Sequence, residues 1–485
     1  MKLRFYQYII PVCLLLALSA CYRDLGNYDY KQPNTVTIGG INDKYIVMQG
    51  TYFELVPQLA FSDSTAKDSA RYTYQWISMK SGALPADKRL YLGTGRSLRT
   101  NMAMAAGVYT VYYLIKDTLT GLQFQKSFTV EVQSNIYEGW MVMTDVNGIA
   151  KLAMISKLNN QYTVIPDVLA STGSALALQG KPLAVNCMRI NALSTGYAIY
   201  ISTDKTTDRI DAETFQYNST LNIKYEMLSN IPETFAPAAF ANAGGYRIFM
   251  LEGTDVYFYY YTYQIRFGLP VNIMKNEALT FHTAPFIAAS TLAEVTVLYD
   301  NDNKRFVRHS GNDASCTLMP DGTLFDYKTG KDLVYMTFSA FNNGNVFAIL
   351  RDAAANKYYL ARFLLNNNIQ QVYYDEMTAT DIAQAKNFAV SPDLGYIFYT
   401  VNNKLYSYDM SLKASKLMMD RGTQSFTALS FYGSILMAGV VDPAKPEGAN
   451  GILESYTVPP VQGALVLGNK WEGLGKVVSF SYRNR

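Results

Sequence analysis

Histidine and cysteine are scarce in this chain of 485 residues, which contains two histidines and four cysteines. The histidines, His282 and His309, lie far apart, and no H-E-x-x-H or C-x-x-C motif is present to bind zinc. The chain also lacks a G-x-S-x-G nucleophile elbow. Residues 93–98, "GTGRSL", lack the GK[ST] ending of a phosphate-binding loop. We therefore expect no catalytic residues, no metal ligands and no cofactor.

Charge is also sparse, because charged residues make up 17% of the chain and the net charge is +3. If residues 1–20 are removed as a signal peptide, Lys2 and Arg4 are lost, which leaves 40 basic against 39 acidic residues and a net charge of +1. No basic run supplies the electrostatic patch that nucleic acid requires. We expect no nucleic-acid partner.

The apolar run at residues 8–20 is shorter than the ~20 residues that cross a bilayer. A basic start, a short apolar centre and small residues at the end predict a signal peptide at residues 1–20. The sequence Leu18-Ser19-Ala20-Cys21 resembles a bacterial lipoprotein signal, which implies acylation of Cys21. Residues 21–34 would then be a lipid-anchored tether, holding the protein on a membrane without crossing it. An ordinary signal with an incidental cysteine is the alternative.

Cys187 and Cys316 are the two cysteines left to pair if Cys13 departs with the signal and Cys21 carries lipid. Export permits a disulfide between them. Both lie in strand-like runs, which favours buried free thiols, and the disulfide remains the alternative.

Aromatic residues are abundant, with 39 tyrosines and 24 phenylalanines, and this enrichment favours strands. Between residues 35 and 134, short strand-like runs alternate with turn residues. Phe128, Val130 and Val132 recur with period two, as in a strand with one buried face. An all-β, immunoglobulin-like sandwich is therefore predicted here, with Trp76 in its core.

Four segments of this region resemble a PKD-type domain: "YQW" (74–76), "GVYTVYYLIKD" (107–117), "TG" (120–121) and "FTVEV" (128–132). With "DLGNYDYK" (24–31) before it, the region resembles the PKD-like lipoproteins of Bacteroidetes. The resemblance implies an outer-membrane lipoprotein that faces outwards and accompanies a TonB-dependent porin and a SusD-like lipoprotein. A single acid, Asp24, soon after Cys21 departs from the acidic surface-export signals of such proteins, so a periplasmic orientation stays open.

Residues 136–485 contain a recurring unit, an apolar strand, a turn rich in Asp, Asn or Gly, and a second strand with aromatics. Spacings of 58, 50, 48, 51, 50 and 38 residues separate the equivalent positions Met141, Ile199, Phe249, Val297, Ala348, Phe398 and Leu436. Seven such units predict a seven-bladed β-propeller. The last strand, "LGKVVSFSYR" (474–483), is predicted to close the ring beside Trp140.

Two acidic turns, "DVNG" (145–148) and "DNDN" (300–303), contain oxygen ligands that calcium would accept. Asp, Asn and Gly between two strands are also ordinary turn formers, and we favour that interpretation.

The densest aromatic segment is "VYFYYYTYQIRF" (256–267). In a strand, Tyr257, Tyr259 and Tyr261 share one face, which predicts a ligand-binding surface if that face is exposed. A strand buried between two neighbouring blades would contain the same kind of aromatic run, and this is the alternative interpretation.

These features favour a non-catalytic cell-surface lipoprotein that binds an extracellular glycan, peptide or protein for an outer-membrane nutrient-uptake system. A glycan hydrolase or lyase in the propeller is one alternative, since a carboxylate pair is invisible in sequence. A structural protein that docks a porin is the other.

Overall fold

The computed structural model describes residues 34–62, 70–80, 89–190, 197–244, 246–263, 265–291, 293–366 and 368–484. The chain divides into two compact units, the first ending at Val132 and the second beginning at Gln133. The predicted signal peptide and Cys21 lie outside the described residues. No helix within the described ranges is long and apolar enough to span a bilayer.

The first unit consists of antiparallel strands. A five-stranded sheet has the order β2-β9-β8-β5-β6, and two short pairs are β1-β4 and β3-β7. The strands are β1 Val36–Gly39, β2 Lys44–Met48, β3 Tyr52–Leu55, β4 Gln58–Phe61, β5 Tyr72–Lys80, β6 Arg89–Gly93, β7 Leu98–Asn101, β8 Gly107–Asp117 and β9 Gln123–Gln133.

One apolar cluster joins the sheet and the two pairs. Phe128, Val130 and Val132 are buried on one face of β9, which confirms the predicted alternation. Trp76 is fully buried, stacks on Tyr113 with ring centroids 4.0 Å apart and donates its indole N–H to the Gly95 carbonyl oxygen. Its predicted place in the core is confirmed.

The second unit contains seven antiparallel sheets among its described residues, which we number in chain order. Sheet 1 has the order β12-β11-β10-β34, sheets 2 to 4 are β13-β14-β15, β16-β17-β18 and β19-β20-β21, and sheets 5 to 7 are β22 to β25, β26 to β29 and β30 to β33. The strands of sheets 1 to 4 are β10 Gly139–Val146, β11 Ile149–Leu158, β12 Gln161–Ile165, β13 Pro182–Arg189, β14 Tyr197–Thr203, β15 Thr207–Ile210, β16 Ala239–Ala243, β17 Arg247–Glu252, β18 Asp255–Tyr260, β19 Val295–Asp300, β20 Arg305–Ser310 and β21 Thr317–Leu318. Those of sheets 5 to 7 and the last strand are β22 Asp332–Ser339, β23 Asn345–Asp352, β24 Lys357–Leu364, β25 Gln370–Glu376, β26 Phe388–Val390, β27 Ile397–Val401, β28 Lys404–Asp409, β29 Ala414–Asp420, β30 Ser425–Tyr432, β31 Ile435–Val441, β32 Gly451–Thr457, β33 Val466–Leu474 and β34 Lys476–Arg483.

The helices of the second unit are short. Helix α1 spans Val168–Ser171, where the Asp167 side chain accepts a hydrogen bond from the Ala170 N–H. The single-turn 3₁₀ helices are Ser219–Leu221, Ile223–Glu226, Tyr261–Tyr263, Phe341–Asn343 and Ile382–Gln384.

Each sheet contains one of the seven equivalent positions that the repeat predicts. They lie in β10, β14, β17, β19, β23, β27 and β31, and all seven side chains are fully buried. A short, continuously apolar run is typical of a strand covered on both faces.

The strands are covered because consecutive sheets share apolar clusters, from sheets 1 and 2 through to sheets 6 and 7. A further cluster joins sheet 7 to sheet 1. Strand β34 completes sheet 1 by pairing with β10, so that Trp140 lies opposite Tyr482. The predicted pairing of the C-terminal strand beside Trp140 is therefore present.

Candidate ligand-binding groove

A groove with a volume of about 390 Å³ lies between sheet 1 and sheet 7. Its lining residues are Glu138, Trp140, Lys157, Tyr162, Tyr432, Ile435, Met437, Ser455, Tyr456, Thr457, Gly468, Asn469, Trp471, Tyr482 and Asn484. The volume lies within the range of ligand pockets, ~300–1,000 Å³. Most of the lining comes from strand ends, where β10 and β31 begin and β11, β32 and β34 end.

A glycine sets the start of β10 against its neighbour β11. Gly139 has a φ of 143°, and a Cβ atom there would lie 2.1 Å from the carbonyl oxygen of Ile155. Only glycine tolerates this backbone approach. Glu138 and Trp140, on either side of Gly139, are thereby brought into the groove.

Two aromatic pairs cross from one sheet to the other. Tyr432, the last residue of β30, contacts Trp140 edge-to-face with ring centroids 5.2 Å apart. Tyr162, in β12, contacts Trp471 in the same manner at 5.1 Å. Such pairs contribute about 0.5–1.5 kcal/mol beyond their buried area.

In each pair the tryptophan is buried and the tyrosine is exposed. Trp140 and Trp471 are 5% and 8% exposed, whereas Tyr162 and Tyr432 are 37% and 40% exposed. The tryptophans are therefore part of the packed interior, and the tyrosines leave ring surface exposed.

A charged pair lies among these rings. The Glu138 carboxylate accepts hydrogen bonds from the Tyr482 hydroxyl and from Lys157 Nζ, the latter at 2.9 Å. Burial disfavours the charged carboxyl, but the two hydrogen bonds outweigh it and hold the pKa of Glu138 below its ordinary value. The hydrogen bond to Glu138 also raises the pKa of Lys157. At neutral pH the two charges cancel, and the pair carries no net charge.

Further polar groups are fixed by the fold. The Ser455 hydroxyl oxygen accepts a hydrogen bond from the Asn469 N–H at 2.8 Å. The Tyr456 hydroxyl donates to the buried Glu454 carboxylate at 2.5 Å, and Arg421 contacts both groups. The Ser455–Asn469 bond joins β32 to β33, and the contacts of Arg421 tie β32 to the segment that follows β29.

The predicted binding residues Tyr257, Tyr259 and Tyr261 lie elsewhere, in the apolar cluster between sheets 2 and 3. They are 7%, 8% and 3% exposed. Tyr257 and Tyr259 belong to β18, and Tyr261 follows the strand in a 3₁₀ turn. The three rings are therefore buried between two sheets, as the alternative interpretation of this run expects, and they leave little surface exposed. The exposed ring of the run is Tyr263.

Hydrogen bonds fix the buried rings as well as packing does. Tyr259 stacks on Tyr261 with centroids 3.8 Å apart, and the hydroxyls of Tyr261 and Tyr200 are 3.0 Å apart. The Tyr200 hydroxyl donates to the Glu226 carboxylate at 2.9 Å. Burial raises the pKa of the Glu226 carboxyl above its ordinary value.

The remaining cysteines are unpaired, which confirms the free-thiol interpretation of Cys187 and Cys316. Burial raises the pKa of each thiol to about 12. The predicted lipidation site, Cys21, is not among the described residues.

The two histidines do not line the groove. His309 is buried in β20 with Nε2 2.5 Å from the Asp313 carbonyl oxygen, and His282 is exposed with Nδ1 2.9 Å from the Asp302 carboxylate. Among the residues that the structure describes, no group of three His, Cys, Asp or Glu side chains could hold a metal ion.

The two acidic turns have the geometry of ordinary turns. The Asp300 carboxylate accepts hydrogen bonds from the Asp302 and Asn303 N–H groups, and the Asp145 carboxylate accepts one from the Gly148 N–H. Both segments therefore form turns closed by their own aspartates.

Sequence reasoning missed the aromatic residues of the groove. Trp140 and Trp471 are two of the three tryptophans in the chain, Tyr162 has no aromatic neighbour in sequence, and Tyr432 has one, Phe431. The predicted closure beside Trp140 was the one signal that pointed to this region.

Comparison with known proteins matches residues 21–182 to the model of the PKD-like family. No curated protein matches the chain. Among solved structures, the chain is similar to a quinonprotein alcohol dehydrogenase-like protein from Bacteroides thetaiotaomicron, with 12% identity, a TM-score of 0.45 and coverage of 94% of this chain and 100% of that chain.

Two further structures show the same level of similarity. Hsv2 of Kluyveromyces lactis has 9% identity and a TM-score of 0.37, with 68% of this chain and 99% of that chain covered. YCF48 from Cyanidioschyzon merolae has 10% identity and a TM-score of 0.37, with 66% and 98% covered. At TM-scores below 0.5, these likenesses carry no conclusion about fold or function. The match to the PKD-like family model therefore covers residues 21–182, about a third of the chain.

Proposed function

We propose that this protein captures an extracellular glycan, without cleaving it, in the groove between sheets 1 and 7. The observation that carries the proposal is the pair of exposed tyrosines, Tyr162 and Tyr432, each supported by a buried tryptophan. Flat apolar rings with a polar surround suit the faces and hydroxyls of sugars.

The groove belongs to a second unit that we infer to be a seven-bladed β-propeller. Seven sheets in chain order, apolar clusters between each sheet and the next, and a cluster between the last and the first support a closed ring. The pairing of β34 with β10 supports closure by the chain's final strand.

A glycan fits the groove better than a charged peptide does. The charges of Glu138 and Lys157 neutralise each other. The other polar lining residues are uncharged, namely Ser455, Thr457, Asn469 and Asn484. Uncharged hydrogen-bonding groups beside rings favour a neutral ligand, because an unpaired charge would be desolvated without compensation.

The hydrolase alternative requires two carboxyl groups flanking the scissile bond. Glu138 is the one acid among the described residues that line the groove, and its carboxylate already accepts two hydrogen bonds. No observation favours a role in docking a porin over glycan capture.

We further propose that Cys21 carries lipid and anchors the protein in the outer membrane, facing outwards. A TonB-dependent porin and a SusD-like lipoprotein would then receive the captured glycan. Support for this part is the signal-like sequence ending at Cys21 and the match of residues 21–182 to the PKD-like family model.

The test uses the mature chain from residue 22, without lipid, on an array of neutral oligosaccharides, with the same samples checked for cleavage products. We expect saturable binding without products and a change in tryptophan fluorescence, since Trp140 and Trp471 line the groove. Replacement of both exposed tyrosines (Tyr162→Ala with Tyr432→Ala) should weaken binding roughly tenfold to a hundredfold, at about 0.5–1.5 kcal/mol per aromatic contact.

The matched control is Tyr263→Ala, because Tyr263 is 69% exposed and does not line the groove. Its affinity should equal that of the wild type. Unchanged affinity in the double variant would refute the groove as the site, and released products would refute a non-catalytic role.

A further inference from the structure

We infer that a second pocket, between sheets 5 and 6, binds the carboxylate group of a ligand through Arg362. The pocket has a volume of about 350 Å³ and is lined by residues that include Phe341, Arg362, Tyr373, Asp409 and Ser411. It shares no lining residue with the groove and therefore constitutes an independent site.

Arg362 has no anionic partner among the described residues. Its side chain, on β24, is partly buried, and its Nε atom is shielded from solvent with no hydrogen-bond acceptor among the described residues. No described carboxylate lies within ion-pair distance of it, whereas Arg71, Arg305 and Arg421 each contact one. Partly buried charges are ordinarily paired, so an unpaired guanidinium lining a pocket indicates a place for an anion.

Two aromatic rings contact the guanidinium group of Arg362. The Arg362 guanidinium carbon lies 5.2 Å from the ring centroid of Phe341 and 5.8 Å from that of Phe347. Of the polar atoms of Arg362, only Nε is shielded, so the Nη groups are the donors that a ligand can reach. Two Nη N–H groups match a carboxylate, which can accept two parallel hydrogen bonds.

The backbone around Phe341 is shaped to keep its ring in place. Gly395 has a φ of 69°, and a Cβ atom there would lie 2.7 Å from the Phe341 ring. The Asn345 side-chain amide donates to the Phe341 carbonyl oxygen at 2.6 Å, and Asn342 and Asn343 both have positive φ. The positive φ angles of Asn342 and Asn343 cost conformational energy, and the turn that they form fixes the ring in contact with Arg362.

The acid that lines the pocket, Asp409, already accepts hydrogen bonds within its own turn. One carboxylate oxygen of Asp409 accepts hydrogen bonds from the Ser411 N–H at 2.8 Å and the Ser411 hydroxyl at 2.5 Å, and closes the turn after β28. The Tyr373 hydroxyl, whose bond to the Met410 carbonyl oxygen is long at 3.4 Å, is a second donor that a carboxylate can recruit.

The test is calorimetric titration of the mature chain with sodium glucuronate and with N-acetylglycine, and with glucose as the uncharged control. We expect at least one carboxylate to bind and glucose not to bind at this site. Binding of glucuronate alone identifies an acidic sugar, binding of N-acetylglycine alone identifies a peptide carboxylate, and binding of both identifies the carboxylate itself as the determinant.

Arg362→Gln should weaken that binding at least tenfold, and Arg362→Lys should weaken it less, because it keeps the charge but loses the planar fork. The matched control is Arg351→Gln, which removes the same charge from an exposed position on the adjacent strand β23 and should bind as the wild type does. Urea midpoints of all three variants establish that they are folded. If Arg362→Gln does not fold, the affinity of Arg362→Lys tests the inference in its place, and a value equal to that of the wild type contradicts it.

Tryptophan fluorescence separates this site from the groove, because none of the chain's three tryptophans lines the pocket. A calorimetric signal with unchanged fluorescence supports the second site whether or not the groove binds glycans. The inference is overturned if neither carboxylate binds or if Arg362→Gln binds as tightly as the wild type.

Discussion

The groove between sheets 1 and 7 and the aromatic run at residues 256–263 are both rich in aromatic rings, but they differ in exposure. Tyr257, Tyr259 and Tyr261 lie inside a cluster to which sheets 2 and 3 both contribute. Tyr162 and Tyr432 lie near strand ends, where coverage by the neighbouring sheet stops. The density of aromatic residues along a strand therefore indicates burial as readily as binding, and exposure depends on the neighbouring sheet.

The largest expected effect on stability comes from removing a buried ring of the aromatic run. Tyr261→Ala should lower the free energy of unfolding by about 3–5 kcal/mol, because it leaves a cavity and removes the stacking partner of Tyr259. Urea unfolding of the mature chain measures this loss. A loss below about 1 kcal/mol would show that the ring is not part of the core.

The second prediction concerns His309, which packs against the opposite face of the strand that carries the aromatic run. His309 lies with its ring centroid 5.2 Å from those of Phe249 and Phe258, and burial lowers its pKa to about 4. The folded protein resists protonation, so the stability is complete above the ordinary pKa of ~6.5 and falls as the pH drops from there to about 4. The loss amounts to about 3 kcal/mol.

Urea unfolding at pH 7 and pH 4, for the wild type and for His309→Gln, measures this contribution as the difference between their pH dependences. His282→Gln is the control, since His282 is exposed and its hydrogen bond to Asp302 raises its pKa. That contribution has the opposite sign, being lost as the pH rises through the raised pKa. Identical pH dependences of the wild type and His309→Gln would contradict the buried, neutral state of His309.

The smallest expected effect on stability comes from removing an exposed ring of the groove. Tyr162→Ala should cost about 1 kcal/mol of stability or less, because the ring is partly exposed and loses mainly its edge contact with Trp471. The same urea unfolding experiment gives the value. A cost near that of Tyr261→Ala would place Tyr162 in the core and remove the distinction between the two regions.

Much of the fold could be predicted from local pattern. Alternation at Phe128, Val130 and Val132 identified a half-buried strand, and the recurring apolar runs identified a buried strand in each of seven sheets. Both follow from the period of side chains along a strand, which a few consecutive residues suffice to show. The pairing beside Trp140 was predictable because unpaired sheet edges are unfavourable.

The candidate sites could not be predicted in this way. Glu138 and Tyr482 share a hydrogen bond although they are 344 residues apart in sequence. Phe341, which lies between β22 and β23, contacts Arg362 of β24. Neither contact leaves a local pattern. The aromatic run attracted attention because its rings are close together in sequence, whereas the groove draws its rings from six separate strands.

The sequence by itself determined the strand content, the alternation that separates buried from open faces and the recurrence of apolar strands. The tertiary structure alone decided which aromatic rings are exposed and whether an arginine such as Arg362 meets a carboxylate. The reason is physical: periodicity is a property of neighbouring residues, whereas exposure and charge pairing depend on which distant strands are packed beside them.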